Sequence, residues 1–451
     1  MKLLLTILSF ALLLNANSYT DKPLLLNEAI DILKLQNLEI KVAKLEEKSA
    51  KEDEQTIAGK NWGKLDFMQD FARSNDAGNV FGFKLTSREA SFGDFGFSEF
   101  DSTNPNILGV QAEDLNYPDD RNFFQSKLKY EVPLFTGFAL SHYSNIMSNV
   151  SKIKKLEKSQ VINEKVYQLR KSYYDMALLN DSINHLNKIL QNIETLENTT
   201  QNMIDVGYAK KVDLLEVTAK KGNVTRVLVE LNANKKLLYH YISFLLNQDI
   251  NQITPPSSPI TLPIYDDSTI IKNNLDIQKA STALTIKGDM VSVSQAAYYP
   301  TLGAFAEIAT ADDSFLGDAS KHKAYTVGAR LSWNLFNGTI DSAKIEKAKI
   351  QNLQMQSRVS LAKKGIKLKL AKIRTQIKSA DEKIISLEKE LILADAIYEN
   401  YEGRYKEKLS SMSDVIIKQS AQIEKILQLL VAKNERNEKI FALEKLANIE
   451  K

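Results

Sequence analysis

The sequence predicts an α+β membrane protein. The expected architecture has long antiparallel α-helical hairpins in a trimeric α-barrel and four β-strands per chain in a shared 12-stranded transmembrane β-barrel. Three observations point there. Two stretches alternate apolar and polar residues over about eleven positions, longer stretches repeat apolar residues at 3-4 spacing, and the whole order occurs twice. Composition agrees: the 451 residues include only 17 glycines and 9 prolines, which suits long uninterrupted helices. Lys plus Arg total 59 and Asp plus Glu 56, a balance that gives no support to nucleic-acid binding. Cysteine is absent, which excludes disulfides, thiol catalysis, Cys-ligated metal centres and a cysteine-linked lipid anchor.

The elements follow in order. Residues 1–18 read as an export signal: Lys2 precedes an apolar run from Leu3 to Leu14, too short to span a bilayer as a helix. Ala16 and Ser18 have the spacing of a cleavage site after Ser18. No later stretch reaches the roughly 18 consecutive apolar residues of a membrane helix. Any return to the membrane is therefore as β-structure.

The mature chain reads as two repeats, 19–253 and 264–451, joined by a stiff linker, 254–263, with four prolines. Val132-Pro133-Leu134-Phe135-Thr136-Gly137 resembles Trp333-Asn334-Leu335-Phe336-Asn337-Gly338 at an offset of 201, and Asp213 faces Asp414 at the same offset. Upstream, Asn37-Leu38-Glu39-Ile40 resembles Asn274-Leu275-Asp276-Ile277 at 237. The first copy thus holds 36 extra residues, placed in the Gly-, Asn- and Asp-rich stretch 74–121, which reads as a long exposed loop.

Each copy runs helix, strand, loop, strand, long helix, tight turn, long helix. In the first, Phe124, Leu128, Tyr130, Val132 and Leu134 alternate with Gln125, Lys127, Lys129 and Glu131. In the second, Tyr325, Val327, Ala329, Leu331, Trp333 and Leu335 alternate with Thr326, Gly328, Arg330, Ser332 and Asn334. The length is that of a tilted transmembrane strand. Weaker partner strands are expected near Lys64–Ala72 and Tyr299–Ala309, with Phe135, Phe138, Tyr298, Tyr299 and Phe336 as interfacial aromatics. Beyond the strands, Leu179, Ile183, Leu186, Leu190 and Ile193, and Leu370 through Tyr398, Tyr401 and Tyr405, keep coiled-coil spacing. From Ala139 to Ile204 there are 66 residues, roughly 100 Å of helix at 1.5 Å each. An open sheet of four strands leaves unpaired edges that lipid does not tolerate. Three copies close it with twelve.

In order, duplicated and at these spacings, the motifs resemble the TolC-like outer-membrane efflux protein family over essentially the whole mature chain. Leu26-Asn27-Glu28-Ala29-Ile30 with Asn37-Leu38-Glu39-Ile40 is similar to its first helix, Tyr299-Pro300-Thr301-Leu302 to its strand entry, and the two Leu-Phe-x-Gly turns to its strand exit. Val80-Phe81-Gly82-Phe83-Lys84-Leu85 and Leu115-Asn116-Tyr117-Pro118 look like the extracellular loop of one branch. The resemblance implies a homotrimer in the outer membrane with a helical tunnel in the periplasm. Its partners are outer-membrane lipid, a periplasmic adaptor (membrane fusion) protein and an inner-membrane pump or ABC exporter. The role it implies is the exit channel of a tripartite efflux pump or type I secretion system for drugs, toxic compounds or proteins. No catalysis, cofactor or metal is implied.

The resemblance also implies a gate at the periplasmic tips, formed by Asp213, Tyr405 and Asp414, with Gly207, Tyr208, Lys408 and Ser410 in the tip turns that dock the adaptor. Lys408 replaces the family's second tip glycine, so that turn is expected to differ. An arginine common in the family falls at Ser410 and its threonine partner at Val212, which leaves a Tyr405–Asp213 pairing. Asp414 would form a ring of three carboxylates, with Ile417 where some members have a second. Both aspartates also stand where the return helices begin, and Asp is a favoured N-cap, so capping and gating stay open.

Enzyme readings find little. His142, His185, His240 and His322 are scattered without ligand spacing, and no phosphate-binding loop occurs. The alternative is a soluble periplasmic coiled-coil adaptor or scaffold. It shares the rods and export signal but needs no amphipathic strand pairs.

Overall fold

The computed structural model describes residues 23–448 except 257–259, 316 and 319. The signal peptide predicted at 1–18 and the centre of the linker lie outside the described residues. The elements are α1 (Leu26–Gln36), α2 (Leu38–Gly59), β1 (Lys64–Ser74), α3 (Ala77–Thr86), α4 (Glu113–Asn116), β2 (Arg121–Thr136), α5 (Ala139–Asp205) and α6 (Lys211–Leu246). The second half holds α7 (Asp267–Asn273), α8 (Leu275–Gln295), β3 (Thr301–Asp312), β4 (Lys323–Ser332), α9 (Ile340–Lys406) and α10 (Met412–Ala447).

The duplication is visible to the residue. α5 and α9 each have 67 residues, α6 and α10 each 36, and all their boundaries keep the offset of 201. The Asn motifs explain why each opening helix is broken. Asn37 Nδ2 donates to the Leu245 carbonyl at 2.8 Å while its Oδ1 accepts from Ile40 N–H at 3.0 Å. Asn274 repeats this with Leu446 at 3.1 Å and Ile277 at 3.1 Å. Each buried amide thus caps α2 or α8 and ties it to the end of its return helix. Asn247 and Asn448 then close α6 and α10 in left-handed conformation, φ 52° and 48°.

The chain divides into two compact units. The first comprises Met1–Glu47, Lys154–Ala280 and Val359–Lys451. Its apolar seams match the 3-4 spacing. Leu186, Ile193 and Leu196 of α5, Val217, Val224 and Leu228 of α6, Tyr398 and Tyr405 of α9, and Val415, Ile423 and Ile426 of α10 form one core. Two further cores, around Leu33–Tyr173–Ile242 and around Leu370–Ile377–Phe441, hold the upper turns of the same helices.

The second unit, Lys48–Ile153 and Ser281–Arg358, carries an antiparallel sheet in the order β1-β2-β3-β4. Register puts Phe67, Leu128, Ile308 and Tyr325 in one cross-strand row and Leu65, Tyr130, Ala306 and Val327 in the next. This face is apolar and open to the surroundings, Phe67 being 67% and Tyr325 81% exposed. The other face is charged, and the Lys127–Glu307 (3.4 Å) and Lys64–Glu131 (3.2 Å) ion pairs cross between strands. Pro133 lacks an N–H for the ladder. There β2 bulges, and its pairing with β1 has already ended at Glu131.

Three expectations need correction. The stretch 74–121 is not simply an exposed loop. α3 lies within it, Val80 is buried, and Phe83 stacks on Phe123 at 4.3 Å, because the local phenylalanines have apolar surface to bury. β4 stops at Ser332, so Trp333 and Leu335 lie beyond the strand; β3 has no residue left to pair with them after Thr301↔Ser332. The weaker strands run longer than expected at their far ends, to Ser74 and Asp312. The aromatics do gather: Phe138 meets Phe135 at 5.1 Å and Tyr299 at 5.6 Å, both edge-on.

Candidate functional site

The two hairpin tips, α5–α6 and α9–α10, are built by one hydrogen-bond pattern. At the first, Gly207 N–H donates to Ile204 O (2.9 Å) and Tyr208 N–H to Met203 O (2.7 Å). At the second, Lys408 N–H donates to Tyr405 O (2.9 Å) and Leu409 N–H to Arg404 O (2.7 Å). Gly207 has φ 78° and Lys408 φ 65°. The expectation that lysine changes the turn is therefore corrected: Lys408 adopts the left-handed conformation that glycine takes freely. Its Nζ then sits 3.2 Å from the centre of the Tyr208 ring, joining the two tips by a cation–π contact.

The aspartates stand at N3 of the return helices, not at the N-cap. Asp213 Oδ2 accepts from the Lys210 N–H at 2.8 Å. Asp414 Oδ2 accepts from Ser411 N–H (3.2 Å) and Ser411 Oγ–H (2.6 Å), while Ser411 Oγ accepts from the Asp414 N–H (3.1 Å). The second tip has a full capping box; the first has half of one, because the Lys210 side chain has no acceptor. The Ser411 hydroxyl and N–H hold the Asp414 carboxyl below the usual aspartate range.

Tyr405 is buried and its Oη lies 3.3 Å from Thr200 Oγ1, not paired with Asp213 as expected. Burial pushes its phenol up, and the negative charge of Asp213 adds to that shift. Ser410, where the family's arginine would fall, donates from Oγ to the Tyr401 carbonyl at 3.1 Å.

Several tip residues escaped the sequence reading. Arg404 donates to the Leu409 carbonyl at 3.3 Å and lies 5.5 Å from the Tyr401 ring, where Lys418 approaches from 5.1 Å. Ser413 Oγ donates to Glu216 at 2.7–2.8 Å, a further link between hairpins. Thr200 could have been found by continuing the seam through Ile193 and Leu196. The same count along α6 and α10 finds two polar seam residues. Lys220 is buried with its pKa lowered by desolvation, Nζ donating to Ser420 Oγ at 2.6 Å, and Gln419 is buried with neither polar atom partnered.

Sequence and fold comparisons bear on this architecture. Residues 268–448 match the outer membrane efflux protein family. The fold likeness covers both repeats. Against CusC, solved in work on transmembrane channel formation, the TM-score is 0.78 at 13% identity, over 94% of this chain and 91% of that one. Against VceC of Vibrio cholerae it is 0.75 at 14% identity, over 94% and 96%, and against the open-state MtrE channel of Neisseria gonorrhoeae 0.75 at 14%, over 94% and 88%. No curated protein sequence matches the chain significantly. The second repeat thus resembles the outer-membrane efflux proteins in sequence, and the chain shares the fold of the outer-membrane channels named above.

Proposed function

We propose that three copies of this chain form the outer-membrane exit channel of a tripartite efflux assembly. The observation that carries this is the four-stranded sheet with one charged face and one exposed apolar face, whose outer edges, on β1 and β4, pair with nothing among the described residues. Exposed apolar side chains and open strand edges are both unfavourable in water. Lipid removes the first problem and closure with neighbouring copies the second; twelve strands leave a lumen wider than the packed interior of an eight-stranded barrel. The charged face would then line that lumen.

In this arrangement the hairpin tips meet near the threefold axis in the periplasm. Gly207, Tyr208, Lys408 and Ser410 offer a periplasmic adaptor the exposed turns, and an inner-membrane pump supplies the energy. Asp414 places three carboxylates around the axis, which favours cations in transit. Tyr405, anchored on Thr200, holds the second hairpin against the first. The match of residues 268–448 to a family described as outer membrane efflux proteins supports efflux over type I secretion.

The test is the native mass of the detergent-extracted protein from separated inner and outer membranes. A trimer confined to the outer membrane is expected. A monomer, or a species free in the periplasm, would overturn the proposal in favour of the soluble scaffold.

A further inference from the structure

At the end of the sheet remote from α5, three metal-ligating side chains from separate segments converge. Glu89, Asp312 and His322 each present one ligand atom within 4.8 Å of the others. Asp312 ends β3, His322 precedes β4, and Glu89 follows α3 in the connection between β1 and β2.

Each is placed by its local fold. α3 packs on the sheet through the Phe83–Phe123 stack, and its last turn closes on Arg88 at φ 60°, with Glu89 N–H donating to Lys84 O at 2.9 Å. Arg121, at the start of β2, forms a close ion pair with Glu89. It occupies one side of the carboxylate and leaves the remaining lone pairs for another ligand. Asp312 is only 7% exposed: the β3–β4 connection wraps it, with the N–H groups of Asp313 (2.7 Å) and Asp318 (2.5 Å) donating to its two oxygens. A side chain at Gly317 would begin 2.2 Å from Oδ2, so the wrapping backbone has no room for one. His322 Nδ1–H donates to the Ala311 carbonyl at 3.2 Å, which orients the ring and leaves Nε2 as the nitrogen with a lone pair for an ion.

We propose that Glu89, Asp312 and His322 bind a divalent transition-metal ion of the zinc class, which ties the β1–β2 connection to the β3–β4 hairpin. Two carboxylates and one imidazole are a mixed oxygen and nitrogen set, which suits zinc-class ions better than the all-oxygen preference of calcium or magnesium. With neutral His322, the charges of Glu89, Asp312 and Arg121 sum to −1, and a divalent ion reverses that excess instead of adding to a positive one. The ligand atoms, no more than 4.8 Å apart, need close by at most about 1.5 Å to reach the roughly 3.4 Å ligand spacing of a tetrahedral site with zinc bonds of about 2.1 Å. The ion would be structural, fixing two connections that carry no other described salt bridge to each other; no reaction is assigned to it.

The test uses the full-length protein, metal-stripped in detergent and titrated with Zn2+ alone. One Zn2+ per chain is expected, with His322→Ala and Asp312→Asn each weakening binding by more than about tenfold. Ca2+ should bind far more weakly than Zn2+. A measurement on the unaltered chain guards against variants that fail to fold: Zn2+ should protect His322, and not His185, from carbethoxylation by diethyl pyrocarbonate. Equal zinc binding by wild type and H322A, or His322 modification unaffected by Zn2+, would overturn the site.

Discussion

The two hairpin tips solve one geometric problem with complementary defects. The first has the better turn, with Gly207 at φ 78°, but the poorer helix start, since Lys210 offers no side-chain acceptor. The second has the better start, the Ser411–Asp414 box, but sets a lysine at φ 65°. Each hairpin thus combines one strong and one weak local signal, and the backbone hydrogen bonds come out alike. A turn motif is therefore specified by the helices it joins as much as by its own residues. The contacts between tips arise where the copies differ: Lys408 reaches Tyr208 because it is not glycine.

The largest expected effect is on the first turn. No atom beyond the neighbouring residues would lie within 4 Å of a Cβ at Gly207, so Gly207→Lys, which matches the residue at the second tip, meets backbone strain without a steric clash at the Cβ. It should cost about 1–2 kcal/mol of local stability, read as faster amide exchange in residues 203–213. The reverse change, Lys408→Gly, should gain less than about 1 kcal/mol, because the contact with Tyr208 is lost with the strain. If G207K leaves exchange unchanged, left-handed strain does not set tip stability.

Helix starts come next. Ser411→Ala removes one half of the second capping box and should cost about 1 kcal/mol, seen as faster exchange over 411–414. Lys210→Ser should supply the missing acceptor to the first tip and slow exchange over 210–213. Equal responses at the two tips would break the comparison.

A smaller effect tests the link between the copies. A double-mutant cycle on Lys408→Met and Tyr208→Leu, followed by exchange at both tips, should give a coupling of about 0.5–1 kcal/mol for an exposed cation–π pair. Additive single changes would make the 3.2 Å approach a coincidence of neighbouring turns.

Much of this was legible in the sequence, for physical reasons. The seams through Leu186, Tyr398 and Val415 follow from 3-4 spacing, and the two sheet faces from period 2. The Asn37 and Asn274 repeats marked the duplication, but not that their buried amides break the opening helices, because the Leu245 and Leu446 carbonyls they bind are distant in sequence. Other features escaped because they depend on what lies across space. Tyr405 chooses Thr200 over Asp213 since Thr200 faces it on the packed seam, which tip motifs alone do not encode. Helix α3 escaped because its Gly- and Asn-containing sequence has poor intrinsic propensity, and packing of Phe83 on Phe123 overrides it. The convergence of Glu89 with Asp312 and His322 spans more than 200 residues and has no local signature.

The last prediction separates the two roles open to Asp414. Ser411 holds its carboxyl below the ordinary value of 3.8, so the ionised form belongs to the folded tip. A depressed folded pKa means the cap's contribution is complete above the unfolded value and is lost as pH falls through the lower folded one. Protection of the Asp414 amide should therefore persist as pH is lowered through 3.8 and fail only below it. Charge and cap can also be separated by substitution. Asp414→Asn keeps an oxygen for the Ser411 N–H but removes the charge, whereas Asp414→Ala removes both. If Asp414 forms a carboxylate ring, block by multivalent cations in planar bilayers should fall equally in D414N and D414A, while amide protection falls more in D414A. Block that survives in D414N would leave Asp414 as a helix cap and move the cation preference elsewhere in the channel.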